Sequence, residues 1–233
     1  MKISFTKYQG TGNDFVMLNN MSGDYSNLSI ELISFLCNRK LGIGADGLIM
    51  LSQTEKADFY VDYYNADGSQ SFCGNGARCS VAFAKEIGLI VSETKFDAID
   101  GVHSASILDG IVRLEMLPVI EVLTSGVDYI VDTGSPHYVH LENENDPGIV
   151  EYGKQIRYSE SFVNEGINVN YLMSLSNNII AVKTYERGVE DETLSCGTGV
   201  TACALVYMKI HADITTVQVK TKGGELSVEA KQN

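Results

Sequence analysis

Cys73-Gly74-Asn75-Gly76-Ala77-Arg78-Cys79 and, 123 residues further on, Cys196-Gly197-Thr198-Gly199-Val200-Thr201-Ala202-Cys203 are two copies of one signal: Cys-Gly-x-Gly opening an apolar run. The first run reads as a helix over 76–87 that stops at Gly88, where a glycine suits the left-handed C-terminal position. The second, over 199–210, is apolar almost all round, the pattern of a helix buried on every side. A repeat at about half the chain length, with strands and a turn ahead of each copy, predicts two pseudo-symmetric domains. Each is expected to be a curved, mostly antiparallel sheet around a central helix. The boundary is expected near Met116-Leu117-Pro118, giving domains 1–116 and 117–233.

Outward from the repeat, the chain reads mostly as strand. Residues 2–8 and 14–19 flank the break Gln9-Gly10-Thr11-Gly12-Asn13, and 58–64 runs into the turn signal Asn65-Ala66-Asp67-Gly68. Residues 166–174 and 178–185 form one expected hairpin, and 216–221 with 225–229 another. One further helix is expected over 30–40, stopping before Gly42. Three helices among a dozen or so short strands predict an α+β fold and not an alternating βαβ one.

The 233 residues carry 17 basic and 30 acidic side chains, a formal net charge of −13, and the sequence pI is about 4.6. That balance excludes partners whose affinity rests on neutralising phosphates, so neither nucleic acid nor an anionic membrane surface is expected. No apolar stretch approaches the ~20 residues of a membrane helix. The N-terminus reads as a first strand and not as a signal peptide, and the expected location is the cytoplasm. Five cysteines with no C-x-x-C pair, and four histidines with no i, i+4 pairing among them, argue against a structural metal. Cys37, Cys79 and Cys203 fall on apolar helix faces as small buried hydrophobes.

Cys73 and Cys196 are different. A thiol at the first turn of a helix sits where free N–H groups and the dipole favour an anion, and its pKa falls from ~8.5 into the range ~3.5–7.5. The glycines after each one expose amides able to hold a carboxylate. If the two halves face each other, one thiolate removes a proton from a carbon and the other thiol returns one on the opposite face. A stereocentre is then inverted without a cofactor.

The motifs extend along the chain: Gly10-Thr11-Gly12-Asn13-Asp14-Phe15, Gly42-Ile43-Gly44-Ala45-Asp46, Asn65-Ala66-Asp67-Gly68-Ser69, Gly134-Ser135-Pro136-His137, Gly166-Ile167-Asn168-Val169, Tyr185-Glu186-Arg187-Gly188 and Glu192-Thr193-Leu194-Ser195 before the second cysteine. In this order and spacing the sequence resembles the diaminopimelate epimerase family, the cofactor-independent two-cysteine isomerases, from its start to about Glu229.

The resemblance implies that Cys73 and Cys196 form the base and acid pair, with His137 and Glu186 tuning the thiols or touching the substrate amino group. It implies that Gly74, Asn75, Gly197 and Thr198 bind the reacting carboxylate, and that Asn13, Asn65, Asn168, Glu186 and Arg187 line the rest of a small amino-acid substrate. No metal and no cofactor are implied, and a homodimer is one assembly it allows. The best single substrate is diaminopimelate, interconverted between its LL and meso forms on the route to lysine and peptidoglycan precursors. Ser135 stands where the family usually has Asn, Gly47 where many members have Gln, and the closing strand of the family is expected to be missing after Glu229. These departures make a racemase of another amino acid, with a basic or imidazole side chain, the runner-up. A two-thiol redox or binding module without turnover is the alternative from another class.

Overall fold

The computed structural model describes residues 2–231; Met1, Gln232 and Asn233, the outer ends of the two expected domains, lie outside the described residues. The chain divides into two compact units, Met1–Met116 and Leu117–Asn233.

The first unit is a seven-stranded sheet in chain order: β1 (Thr6–Gly10), β2 (Asn13–Asn20), β3 (Gly47–Ser52), β4 (Phe59–Asn65), β5 (Glu93–Ala98), β6 (Gly101–Leu108) and β7 (Ile111–Leu114). Helix α1 (Ile30–Cys37) connects the parallel pair β2–β3, and α2 (Gly74–Glu86) connects the parallel pair β4–β5; the other four pairings are antiparallel. One face of α2 meets the sheet through Ala77, Val81, Phe83 and Ala84, which pack with Phe15, Ile49, Phe59 and Phe96. Burying one such large side chain contributes about 1.5–3 kcal/mol.

The second unit runs β8 (Val122–Ser125), β9 (Asp128–Asp132), β10 (Pro136–Leu141), α3 (Ile149–Arg157), β11 (Asn168–Ser176), β12 (Ile179–Glu186), β13 (Asp191–Thr193), α4 (Gly197–Ile210), β14 (Thr216–Thr221) and β15 (Gly224–Glu229). Its sheet order is β15-β14-β12-β11-β10-β9-β8, with β13 paired to β12. Here α3 connects the parallel pair β10–β11, and α4 lies between the parallel strands β12 and β14. The two units therefore share one connection scheme: β2-α1-β3-β4-α2-β5-β6 corresponds to β10-α3-β11-β12-α4-β14-β15. Both sheets are mixed, with two parallel pairs each and the other pairings antiparallel.

Several boundaries differ from the sequence reading, each for a local reason. The first strand begins at Thr6, not Lys2, and extends through Gly10, because the break is the two-residue turn Thr11-Gly12. Both of these have positive φ (50° and 86°), as the tight hairpin turn demands. Helix α1 ends at Cys37, before the expected Lys40, because the Asn38 side chain accepts from the amides of Lys40 and Leu41 and competes with helix continuation. Both central helices start at the first glycine, Gly74 and Gly197, two residues ahead of expectation. Helix α3 was not expected at all. Gly153 in its interior weakens the local preference by ~1 kcal/mol, yet a Cβ there would lie 2.4 Å from the Tyr185 ring, so the helix lies on the sheet only with glycine. Among the described residues no helix is long and apolar enough to cross a membrane.

Candidate active site

In the first unit, Cys73 is the N-cap of α2, in extended backbone, and its Sγ accepts from the Gly76 amide at 3.4 Å. Its thiol donates to Asn13 Oδ1 at 3.5 Å. The orientation of Asn13 is set from its other end: its Nδ2 donates to Asp46 Oδ2 at 2.7 Å, so Oδ1 is the atom turned to the sulfur. Asp46 belongs to a charged cluster with Asp14, Lys7 and Arg39. Burial opposes the charge on Asp14, but hydrogen bonds from Arg39 and Lys7 outweigh it and hold its carboxyl well below the usual range.

Asn75 is buried in the first turn of α2, and its Oδ1 accepts from Arg78 Nη2 at 2.6 Å and from the Thr11 hydroxyl at 3.2 Å. Arg78 also donates to Gly74 O, so the head of the helix is tied to the β1–β2 turn. Asn65 ends β4 and works within its own turn. It donates to Ser69 and Ser71 and accepts from the Tyr63 hydroxyl at 2.8 Å.

In the second unit, Cys196 is the N-cap of α4, and its Sγ lies 3.3 Å from Thr198 Oγ1. Thr198 Oγ1 is 2.9 Å from His137 Nε2, and the Thr198 carbonyl accepts from the Thr133 hydroxyl. His137 is completely buried in β10, and burial, foremost, lowers its pKa to about 3, so the ring is neutral at ordinary pH. Asn168 opens β11. Its Nδ2 donates to Ser135 Oγ at 2.8 Å and to Pro136 O, while its Oδ1 accepts from the Arg187 amide at 2.9 Å. Arg187 Nη1 donates to Glu165 O. Glu186 closes β12, and burial raises its carboxyl pKa above the ordinary value. Thus Cys73 meets Asn13 in one unit. In the other, Cys196, Thr198 and His137 form one row, and Asn168, Ser135 and Arg187 a second.

The three remaining thiols are held in the protonated form by their surroundings. Cys37, Cys79 and Cys203 are buried, and burial raises the first two to about 11 and about 12 and pushes Cys203 higher still.

Sequence reading missed the residues that orient the site. Asp14, Asp46 and Arg39 hold Asn13, and the Gly42–Asp46 motif was the signal, since its aspartate ends a loop that returns to β2 through Asp46 N and Asp14 O. Arg78 sits inside the first repeat itself. Asn170 and Thr184, fully or almost fully buried beneath α4, carried a signal in being polar at inward-facing strand positions.

A cysteine stands at the head of the buried helix in each of two curled mixed sheets, so the chain is of the duplicated-sheet class. The fold is shared with a phenazine biosynthesis protein of the PhzF family from Bacillus anthracis (TM-score 0.72, 13% identity, 97% of this chain and 90% of that one). It is shared too with a hydroxyproline epimerase from Agrobacterium vitis solved with bound trans-4-hydroxy-L-proline (TM-score 0.66, 16% identity, 97% and 83% covered). The chain belongs to the diaminopimelate epimerase family, whose sequence profile matches residues 5–104 and 129–233. It is 44% identical over 230 residues to the diaminopimelate epimerase of Flavobacterium psychrophilum, covering 97% of this chain and 90% of that protein.

Proposed function

We propose that the protein interconverts LL- and meso-diaminopimelate by a two-base reaction in which Cys73 and Cys196 are the proton acceptor and donor. The observation that carries this reading is the repeated placement of one thiol at the N-cap of each central helix, at matched positions of two matching sheets, in a member of this family. One thiolate removes the α-proton, and the electron pair is delocalised into the α-carboxylate. The other thiol then gives its proton to the opposite face. First-turn amides at Gly74, Asn75, Gly197 and Thr198 supply N–H groups and the positive helix end for the carboxylate as negative charge builds on it. Asn13, Asn65, Asn168, Glu186 and Arg187 bind the rest of the amino acid. The reaction belongs to the cytoplasmic supply of lysine and peptidoglycan precursors.

A panel of amino acids incubated in D2O, followed by NMR at the α-carbon, tests the substrate. Exchange and epimerisation of diaminopimelate are expected, without added cofactor. A monocarboxylic amino acid racemised at least ten times more efficiently overturns the assignment.

A further inference from the structure

Matching the two sheets through their pairings puts Phe15, Ile49 and Tyr63 of the first unit where the second has His137, Asn170 and Thr184. Most of these positions line the second glycine of each repeat: a Cβ on Gly76 would meet Ile49 and Phe15, and one on Gly199 would meet Asn170, His137 and Thr184. The apolar pair Phe15 and Ile49 of one unit is thus the polar pair His137 and Asn170 in the other, under the helix head that carries the cysteine.

The direction of each hydrogen bond in the polar cluster follows from its neighbours. The backbone carbonyl of Tyr138 can only accept, so the Asn170 atom 3.1 Å from it is the amide nitrogen. Asn170 Oδ1 then takes the Thr184 hydroxyl proton at 2.9 Å. The second amide proton faces His137 Nδ1 at 3.0 Å, which makes that ring nitrogen the acceptor and leaves the ring proton on Nε2. Nε2–H donates to Thr198 Oγ1 at 2.9 Å, and the Thr198 proton is left for the Cys196 sulfur at 3.3 Å. A donor at the sulfur favours its thiolate form.

We propose that Asn170 is a positioning residue for Cys196: its carboxamide fixes the Nε2–H tautomer of His137, so that the Thr198 hydroxyl donates to the sulfur and holds Cys196 as the resting thiolate. The inference rests on the reading of Cys196 as a reacting thiol. Arg187 acts on the row through its charge, which disfavours a protonated His137. Cys203, from α4 itself, interacts electrostatically with Cys196 but stays neutral through burial.

The test uses the full chain. With 15N-labelled histidine, two-bond 1H–15N spectra at pH 7 are expected to show His137 neutral and protonated at Nε2; an Nδ1–H or doubly protonated ring overturns the proposal. In Asn170→Asp an acceptor replaces the donor facing Nδ1. The ring proton is expected to move to Nδ1, and alkylation of Cys196 by iodoacetamide at pH 7, read by peptide mass spectrometry, to slow about tenfold while Cys73 stays within twofold. Asn170→Leu removes the donor without adding an acceptor, and an intermediate slowing is expected. Unchanged Cys196 alkylation in either variant, folded by circular dichroism, overturns the proposal; if neither folds, the wild-type tautomer decides. Epimerisation retained in Cys196→Ala defeats the catalytic reading instead, and leaves the tautomer and alkylation results standing.

Discussion

Beneath Gly76 the first unit packs Phe15 and Ile49; beneath Gly199 the second packs His137, Asn170 and Thr184. The backbone scheme is the same, so the fold needs only matched volume at these positions. Phe15 and Ile49 meet that need with no polar group to satisfy, and the Tyr63 hydroxyl is satisfied by Asn65. A buried polar cluster holds only if every hydrogen bond is made, since one unpaired group costs about 1–3 kcal/mol. The second unit therefore carries a more demanding interior, and its polar row ends at the sulfur. The sulfurs themselves meet different neighbours: Cys73 the Gly76 amide that donates to it and an amide oxygen that accepts from it, Cys196 a threonine hydroxyl.

The comparison breaks most directly at the thiols. If both halves supply one partner in proton transfer, Cys73→Ala and Cys196→Ala each lower epimerase turnover by about 10²–10⁴-fold in both directions, measured with each diastereomer as substrate. Near-normal turnover in either variant removes the functional symmetry of the repeat.

Next comes the packing contrast. A methyl on Gly199 would sit 2.4 Å from Asn170 Oδ1, whereas one on Gly76 would sit 3.0 Å from the movable end of Ile49. Gly199→Ala is expected to cost about 3 kcal/mol in urea unfolding and Gly76→Ala about 1 kcal/mol, the range for overpacked cores. Equal costs would mean that the polar cluster yields as easily as the apolar one.

A titration sharpens the same contrast. His137 has a folded pKa of about 3 against an ordinary 6.5, so the unfolded chain binds the extra proton. The stability this provides is fully present above pH 6.5 and is lost as the pH falls from there toward 3. Between pH 7 and pH 5 the loss is about 2 kcal/mol, read as the difference between the intact protein and His137→Gln in urea melts. No such loss is expected from its counterpart, Phe15, which has nothing to titrate.

The smallest effect lies at Ser135, whose hydroxyl takes the Nδ2 proton of Asn168. Ser135→Asn is expected to lower the apparent KM for diaminopimelate two- to tenfold, equivalent to about 0.5–1.5 kcal/mol for one added hydrogen bond, with α-carbon exchange of bound substrate unchanged. A raised KM would show that Asn168 needs its short partner.

Much of this molecule is local. The repeated Cys-Gly-x-Gly, the glycine stop at Gly88, the all-round apolar run into α4 and the β14–β15 hairpin determined two helices, their cysteine caps and a duplicated α+β fold, because helix period, capping and turn geometry act within a few residues. The family motifs marked the candidate site residues in the same way. What tertiary structure alone decided lies where distant segments meet. Helix α3 forms around a glycine because that glycine lies against Tyr185, and the parallel pairs join strands whose partners the alternation of side chains cannot name. Asn13 faces Cys73 because Asp46, 33 residues further along the chain and brought back by a loop, accepts from its amide nitrogen. The polarity at Asn170 and Thr184 was visible in the chain, but its use was not. A hydrogen bond has a direction only once every neighbour is in place, and the neighbours that orient Asn170 come from two other strands.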